Sequence, residues 1–393
     1  MPLSKLRVID ASSIIAGPLI AKNLGDFGAD VIKIEHPRKE DGGRSISLKK
    51  DGIPLMWKWL SRNKRTMILD LKAAFDQEVF LDLIKTSDVL IENFRPGTLE
   101  KWGLGYEKLS EINPGLIMVR VTGYGQTGPY ANRPGFGTIA EAMSGFAHLT
   151  GDPDGPPTLP PFGMADTVTA LNGTYAVMMA LYHRDVNGGK GQCIDLSIVE
   201  AMFDFLGSQA TDYAATGRIP KRMGNRIPNS APRNLYETRD GKYVCISGSA
   251  QSITERIFKI IGREDLITHP KFATNDARVQ NVEELDAIIG EWMKKHDRDE
   301  IIAKFAEEEA ALGPVYDIED IFNDPHFQAR EMIIEIEDPD LEMVKMQNIV
   351  PRLSETPGKI RFSGRRKGEN TEDILRELGY AEERIKAFLE KNT

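Results

Sequence analysis

Asp166 is the residue best placed for covalent chemistry. It lies in Gly163-Met-Ala-Asp-Thr-Val-Thr169, between a proline-rich stretch and an apolar helical segment. The plain reading is a helix N-cap, since Asp there accepts a backbone N–H bond. The second reading is chemical. A carboxylate kept ionised by the helix macrodipole, facing a glycine-lined cavity, can attack a thioester and form a mixed anhydride. Spacing alone leaves both open, and one residue can serve as both.

Other motifs are weaker. Gly123-Tyr-Gly-Gln-Thr-Gly128 matches G-x-G-x-x-G after a strand-like run, but Pro129 and Arg133-Pro-Gly135 follow where a phosphate-holding helix should open. It reads as a glycine-rich site loop and not as a dinucleotide fingerprint. Glu35 ends a second strand, as a ribose-binding acid would, yet the first turn lacks the glycine triplet. There is no G-x-x-x-x-G-K-[ST] and no G-x-S-x-G, and Ser61-Arg-Asn-Lys64 matches S-x-x-K only at chance level. The six histidines show neither H-x-x-x-H nor H-x-H spacing, so no metal centre is expected.

The elements that must position Asp166 follow from the apolar pattern. Leu6–Asp10 and Ala29–Ile34 read as strands, with a helix carrying Leu19, Leu24 and Phe27 between them. This βαβ unit implies a parallel sheet of doubly wound type. Strands are expected at Thr66–Leu69, Val89–Ile91, Leu116–Val121 and Gln192–Leu196, and helices at Ala74–Thr86 and Asp166–Arg184. Residues 123–163 are rich in Gly and Pro, and long irregular stretches in compact enzymes usually carry function. Arg218–Asn234 reads as a crossover linker. Tyr236–Ile246 reads as a hairpin around Asp240-Gly241, followed by amphipathic helices at Ile253–Ile261 and Val282–Lys294. The tail from 340 returns to strands and ends with a capped helix starting at Thr371.

The expected fold is α/β: a large Rossmann-like domain at 1–205, a linker at 206–229, a small α+β domain at 230–324, and a return to the large domain at 325–393. A length of 393 residues suits two or three domains at about 150 residues each. The net charge of −9 disfavours nucleic-acid binding, which needs clustered Lys and Arg. Cys193 and Cys245 have no metal or disulfide spacing, so a reducing cytoplasm is expected. No signal peptide is read at Met1-Pro-Leu-Ser-Lys, and no apolar run reaches the ~20 residues of a membrane span.

The chain resembles the class III CoA-transferases, which include formyl-CoA and carnitine CoA-transferases and the related 2-methylacyl-CoA racemase. The resemblance spans nearly the whole chain. It rests on Ala16-Gly-Pro18, Gly25-Asp-Phe-Gly-Ala-Asp-Val-Ile-Lys-Ile-Glu35, Asn63-Lys-Arg65, Glu92-Asn-Phe-Arg-Pro-Gly97, Gly103-Leu-Gly-Tyr106, Thr122–Pro129, Ala165-Asp166 and Gly189-Lys-Gly-Gln192. It implies that Asp166 is the nucleophile, carrying first an acyl group as an anhydride and then CoA as a thioester. It implies an interlocked homodimer of threaded rings, and acyl-CoA and carboxylic acids as substrates, with no permanently bound cofactor.

By the same resemblance, Asn93 and Phe94 lie near the CoA chain, Lys101 near its phosphates, and Leu69 and Leu71 near its adenine. His36 and Arg38 fall in a stretch that is basic in relatives. Arg133 matches a basic position before the glycine-rich turn, and Ala16 and Tyr124 fall within matched motifs. Three positions depart from the family. Ile15 stands where formyl-CoA transferase has Gln, which argues against an oxalate-like substrate. Gly137 replaces a common acidic residue, with Glu141 one turn on. The loop that shields the intermediate is Ser247-Gly-Ser-Ala-Gln251, with Gly248 its one glycine. The pattern is nearest to relatives using dicarboxylates such as succinate. The alternatives are a 2-methylacyl-CoA racemase or a non-catalytic CoA-binding subunit. Phe136 stands where the racemase has a proton-carrying His, and retention of Asp166 argues against the subunit.

Overall fold

The computed structural model describes residues 1–46 and 48–392. The chain divides into two compact units. The first comprises Met1–Phe146, Leu159–Gly217 and the residues from Ala329 onward; the second comprises Ala147–Thr158 and Arg218–Gln328.

The first unit is built on six strands: β1 (Arg7–Asp10), β2 (Asp30–Glu35), β3 (Lys64–Ile68), β4 (Val89–Glu92), β5 (Ile117–Thr122) and β6 (Cys193–Ser197). Their order is β3-β2-β1-β4-β5-β6, and every pair is parallel. Val8 pairs with Val31 on one side and Val89 on the other. Alternate side chains of these strands enter opposite cores, as a period of two requires. Val8, Val31, Val89 and Ile117 pack with Leu19, Ile20 and Leu24 of α1 (Ala16–Asp26). Ile9, Ile32, Leu90 and Met118 pack on the other face, with Phe80, Leu83, Ile374 and Phe388. Burial on both faces explains why the central strands β1, β4 and β5 do not alternate between apolar and polar residues, whereas the edge strand β6 alternates exposed and half-buried residues over Cys193–Leu196. Each fully buried aliphatic side chain contributes ~1.5–3 kcal/mol.

Three helices matter for the site: α1, α2 (Gly137–Met143) and α3 (Met164–Val186). Helix α3 starts two residues earlier than expected, with Gly163 as its N-cap. Asp166 is therefore the third residue of the helix and not its cap, which corrects the plain reading. Thr371 likewise is the first residue of its helix; its hydroxyl accepts from Ile68 N–H (3.2 Å), tying the chain's end to β3, while Asn370 is the cap position.

The second unit holds a three-stranded antiparallel sheet, Leu312–Pro314, Tyr243–Ser247 and Arg233–Glu237 in that order. Helices Gln251–Ile260, Val282–Met293 and Arg298–Glu307 cover it around Val244, Ile246, Phe258, Ile289 and Phe305. Segment 147–158, expected within the large domain, belongs here. The Arg222 guanidinium donates to the carbonyls of His148 (3.1 Å), Asp152 (3.3 Å) and Gly155 (2.9 Å), holding that loop to the second unit.

Candidate active site

In an open parallel sheet, ligands bind beyond the carboxyl ends of the strands where the strand order reverses. Here that point lies between β1 and β4. Two loops leave it, Ser12–Ile15 and Asn93–Pro96, and Asn93 joins them. Its Oδ1 accepts from Ser13 N–H (2.9 Å) and its Nδ2 donates to the Ser13 carbonyl (2.8 Å). A cavity of about 700 Å3 opens there, lined by both loops, the end of β5, the turn before α2, residues 159–163 and Asp166. That volume suits a small organic ligand or part of a larger one.

Asp166 is partly buried in the wall of this cavity. Its surroundings are glycine for a steric reason. A Cβ on Gly137 would fall 2.7 Å from Asp166 Oδ2, and one on Gly163 would fall 3.3 Å from the same atom. Any larger side chain at 137 could stand here only if Asp166 shifted. Glu141, 2% exposed on α2, supplies what Gly163 cannot: its Oε1 accepts from Ala165 N–H (3.1 Å), capping α3 from a neighbouring helix.

Burial, and secondly the charge of Glu141, push the Asp166 carboxyl up from 3.8 to about 6. Asp166 lies in the first turn of α3, where the dipole favours the ionised form, but burial and the like charge of Glu141 hold its pKa above the usual carboxylate value. The result is a carboxylate that is more basic than usual and poorly hydrated, which favours attack on carbon. A rate that needs ionised Asp166 should fall as pH drops through about 6. In Glu141→Gln the amide oxygen can still accept from Ala165, but the repelling charge is gone. The acid limb of the kcat/KM profile is expected to move to lower pH. A limb that stays in place would show that Glu141 does not act on Asp166.

Beneath the β1 loop lies a fully buried charge cluster. Lys64 Nζ donates to Asp10 Oδ2 (2.9 Å) and to the Pro18 carbonyl (2.7 Å), and Lys33 Nζ is 3.0 Å from Asp41 Oδ2 and also bonded to the Ser12 carbonyl. Burial alone would raise the Asp10 pKa, but Lys33, Lys64 and the Ser12 hydroxyl together hold it down. Asp41 Oδ1 accepts from Ile14 N–H (3.2 Å), and Ile14 has φ 72°, a left-handed conformation unfavourable for a β-branched residue. Lys33, Asn93 and Asp41 thus anchor three consecutive backbone positions, Ser12 to Ile14, of which the last two line the cavity, and hold that strain.

Of the residues singled out in the sequence, Ile15, Ala16, Asn93, Phe94, Arg133, Phe136, Gly137, Glu141 and Asp166 are brought to the cavity. Phe94 also packs edge-on against Trp102 at 5.2 Å. The others lie outside its lining. Tyr124 meets Tyr130 at 5.8 Å, and Arg133 lies over the Tyr130 ring at 3.8 Å, so Tyr124 supports Arg133 from behind. His36, Arg38, Leu69 and Leu71 follow β2 and β3 on the same carboxyl edge of the sheet. Leu69 and Leu71, 1% and 6% exposed, are core residues there. Burial holds the His36 pKa below its usual value, and its Nδ1 accepts from Arg38 N–H (3.0 Å) and Lys39 N–H (3.2 Å), fixing the proton on Nε2. Lys101 is exposed at the end of a short helix, Thr98–Lys101. Gly248 belongs to the second unit, where its N–H donates to the Pro232 carbonyl (2.8 Å).

Arg95 and the left-handed Ile14 line the cavity and were missed. Arg95 stands inside the motif Glu92–Gly97 and passed as a turn residue. Among the described residues no group of three or more His, Cys, Asp or Glu side chains is placed to hold a metal ion, and no helix is long and apolar enough to cross a membrane.

Comparison with known proteins finds relatives along nearly the whole chain. Residues 3–371 match the family described as CoA-transferase family III. Succinyl-CoA–D-citramalate CoA-transferase of Chloroflexus aurantiacus is 41% identical over 96% of this chain and 94% of its own. Succinate–glutarate CoA-transferase of Agrobacterium fabrum is 34% identical over 96% of both. The crystal structure of a CAIB/BAIF family protein from Brucella suis superposes with a TM-score of 0.86 at 36% identity, covering 96% of this chain and 99% of that one.

Proposed function

We infer that this chain, which belongs to CoA-transferase family III, moves CoA from an acyl-CoA thioester to a carboxylic acid, with Asp166 as the covalent carrier and dicarboxylic acids as substrates. The observation that carries this reading is the Asp166 carboxylate itself: raised to about 6, partly buried in a cavity wall, and without a cation within ion-pair distance among the described residues. A structural carboxylate would be paired or solvated. The relatives named for succinyl-CoA, D-citramalate, succinate and glutarate support the dicarboxylate class.

The steps follow from the groups present. An Asp166 oxygen attacks the thioester carbonyl, the C–S bond breaks, and CoA leaves as thiolate, giving an aspartyl–acyl anhydride. The thiolate attacks the aspartyl carbonyl and releases the first acid as its carboxylate, leaving an aspartyl–CoA thioester. The acceptor carboxylate then attacks that thioester and expels CoA thiolate. The thiolate attacks the acceptor's acyl carbon, forming the new acyl-CoA and freeing Asp166. Charge on the tetrahedral oxygens needs donors, and the first-turn amides of α2 at Gly137 and Thr138, both residues at the cavity wall, are candidates.

The strand order supports a Rossmann-like reading of the parallel sheet, on which the carboxyl edge from β3 to β5 offers a track for CoA. On this reading Asn93 and Phe94 meet the pantetheine arm, while His36, Arg38, Lys101 and Arg133 serve the nucleotide end. Leu69 and Leu71 act from below, as packing under the adenine. The assembly is a cytoplasmic interlocked homodimer. In support, α3 exposes a stripe of Leu171, Tyr175, Met179, Tyr182 and Val186, each more than half exposed in the single chain.

The test is a trapping experiment. Incubation with succinyl-CoA alone, then hydroxylamine, should leave a hydroxamate on the peptide containing Asp166, read by mass spectrometry. Fast transfer with no adduct on that peptide would mean direct transfer and would overturn the carrier role.

A further inference from the structure

The cavity holds two carboxylates and two guanidiniums that do not pair with each other. Asp166 and Glu141 stand at the start of α3, and Arg95 and Arg133 also line the cavity. No ion pair joins either arginine to either acid among the described residues. The Asp166 carboxyl answers only to burial and to Glu141, so the guanidiniums are spaced from it.

The two arginines differ. Arg133 already lies over the Tyr130 ring at 3.8 Å. The Arg95 guanidinium has no hydrogen bond, ion pair or ring contact among the described residues. Its backbone, by contrast, is well held. Asn93, two residues before it, is bonded twice to Ser13, and the Arg95 carbonyl accepts from Thr98 N–H (3.0 Å) across the Pro96-Gly97 turn. A free cation on a fixed base, in a cavity whose other walls include Ile14, Ile15, Phe136 and Phe162, lacks an anion.

A dicarboxylic substrate supplies one. Its reacting carboxyl must be at Asp166, which sends its second carboxylate into this cavity. An unpaired carboxylate against apolar walls is strongly disfavoured. The planar guanidinium fork matches a carboxylate with two parallel hydrogen bonds. We propose that Arg95 receives the distal carboxylate of the dicarboxylic acyl group, in both the CoA thioester and the free acid, and so selects dicarboxylates over monocarboxylates. This rests on the function proposed above, with Asp166 holding the reacting carboxyl. The other anion that could meet Arg95 is a CoA phosphate, and the experiment separates the two.

The probes are succinate against butyrate as acceptors, and succinyl-CoA against butyryl-CoA as donors, in wild type and Arg95→Gln. Arg95 is exposed and its side chain has no partner to lose, so the variant should melt as wild type does. The expected result is KM for succinate and succinyl-CoA raised about 10- to 100-fold, the loss of a charge-assisted bidentate contact. KM for butyryl-CoA should be unchanged, the succinate-to-butyrate preference should collapse, and Arg95→Lys should recover part of it. Equal rises for both thioesters would assign Arg95 to a CoA phosphate and overturn the proposal. No change for any substrate would overturn it too. A wild type that refuses dicarboxylates overturns the substrate class and the proposal together. Absence of the Asp166 adduct, read separately, overturns the carrier role alone.

Discussion

Asp166→Asn should abolish CoA transfer, with kcat reduced about 10³-fold or more, as loss of a covalent nucleophile does elsewhere. The carboxamide has nearly the same shape, so the contacts with Gly137 and Gly163 survive, but it cannot form an anhydride. The fold should not suffer. With a folded pKa of about 6 against 3.8 unfolded, the native state binds the proton more tightly than the unfolded chain does. The stability this contributes is fully present below pH 3.8 and is lost as pH rises through 6, so ionised Asp166 opposes folding at pH 8. The variant should therefore melt no lower than wild type at pH 8. Retention of more than about a tenth of kcat, a barrier change of only ~1.4 kcal/mol, would remove Asp166 from the carrier role.

Lys64→Met should give the largest loss of stability among single changes near the site. Lys64 and Asp10 are both fully buried and 2.9 Å apart. Removing the cation leaves Asp10 buried beside a single remaining lysine, Lys33 at 3.9 Å. Breaking one partner of such a pair costs about 3–5 kcal/mol. For a unit of this size that means a melting temperature lower by roughly 10 °C. Lys64→Met with Asp10→Asn should recover part of the loss, because no uncompensated charge is left. A single variant that melts within about 2 °C of wild type would show that the pair does not hold the sheet. Activity should fall as well, since Asp10 and Lys33 hold Ser12, which leads directly into the cavity-lining residues Ser13–Ile15.

Neither residue of that pair was visible as a partner of the other. Lys64 was read only as part of a matched motif, and Asp10 as the end of a strand. They are 54 positions apart, and only the neighbouring of β1, β2 and β3 brings them together. Lys33 is the sharper case. In the run Asp30–Glu35 it could pass for a solvent-facing strand residue, yet it is 1% exposed. A sheet covered on both faces has no solvent side, so a charge in a strand must find a buried partner.

Local pattern was enough for much of the rest. The strand and helix positions of the first unit follow from β-branched runs and helical spacing, because those preferences act over a few residues. Asp166 was legible for the same reason: a carboxylate after a glycine-rich, proline-rich stretch and before an apolar helix is a local statement. Its position within the helix was not. The spacing suggested the cap, and the true cap is Gly163, which has no side chain to announce itself.

What the sequence by itself determined, then, was the parallel α/β architecture, the candidate carboxylate Asp166 and the family resemblance, all encoded in short ordered motifs. Tertiary structure alone decided the strand order that opens the cavity between β1 and β4, and the capping of α3 by Glu141 from α2. It also decided the elevation of Asp166 to about 6, and the gathering of Arg95 and Asp166 into one cavity. The physical reason is range. Propensity and periodicity are set by neighbours in the chain. Desolvation and Coulomb interaction depend on distance and burial in space, and these exist only once distant segments have packed together.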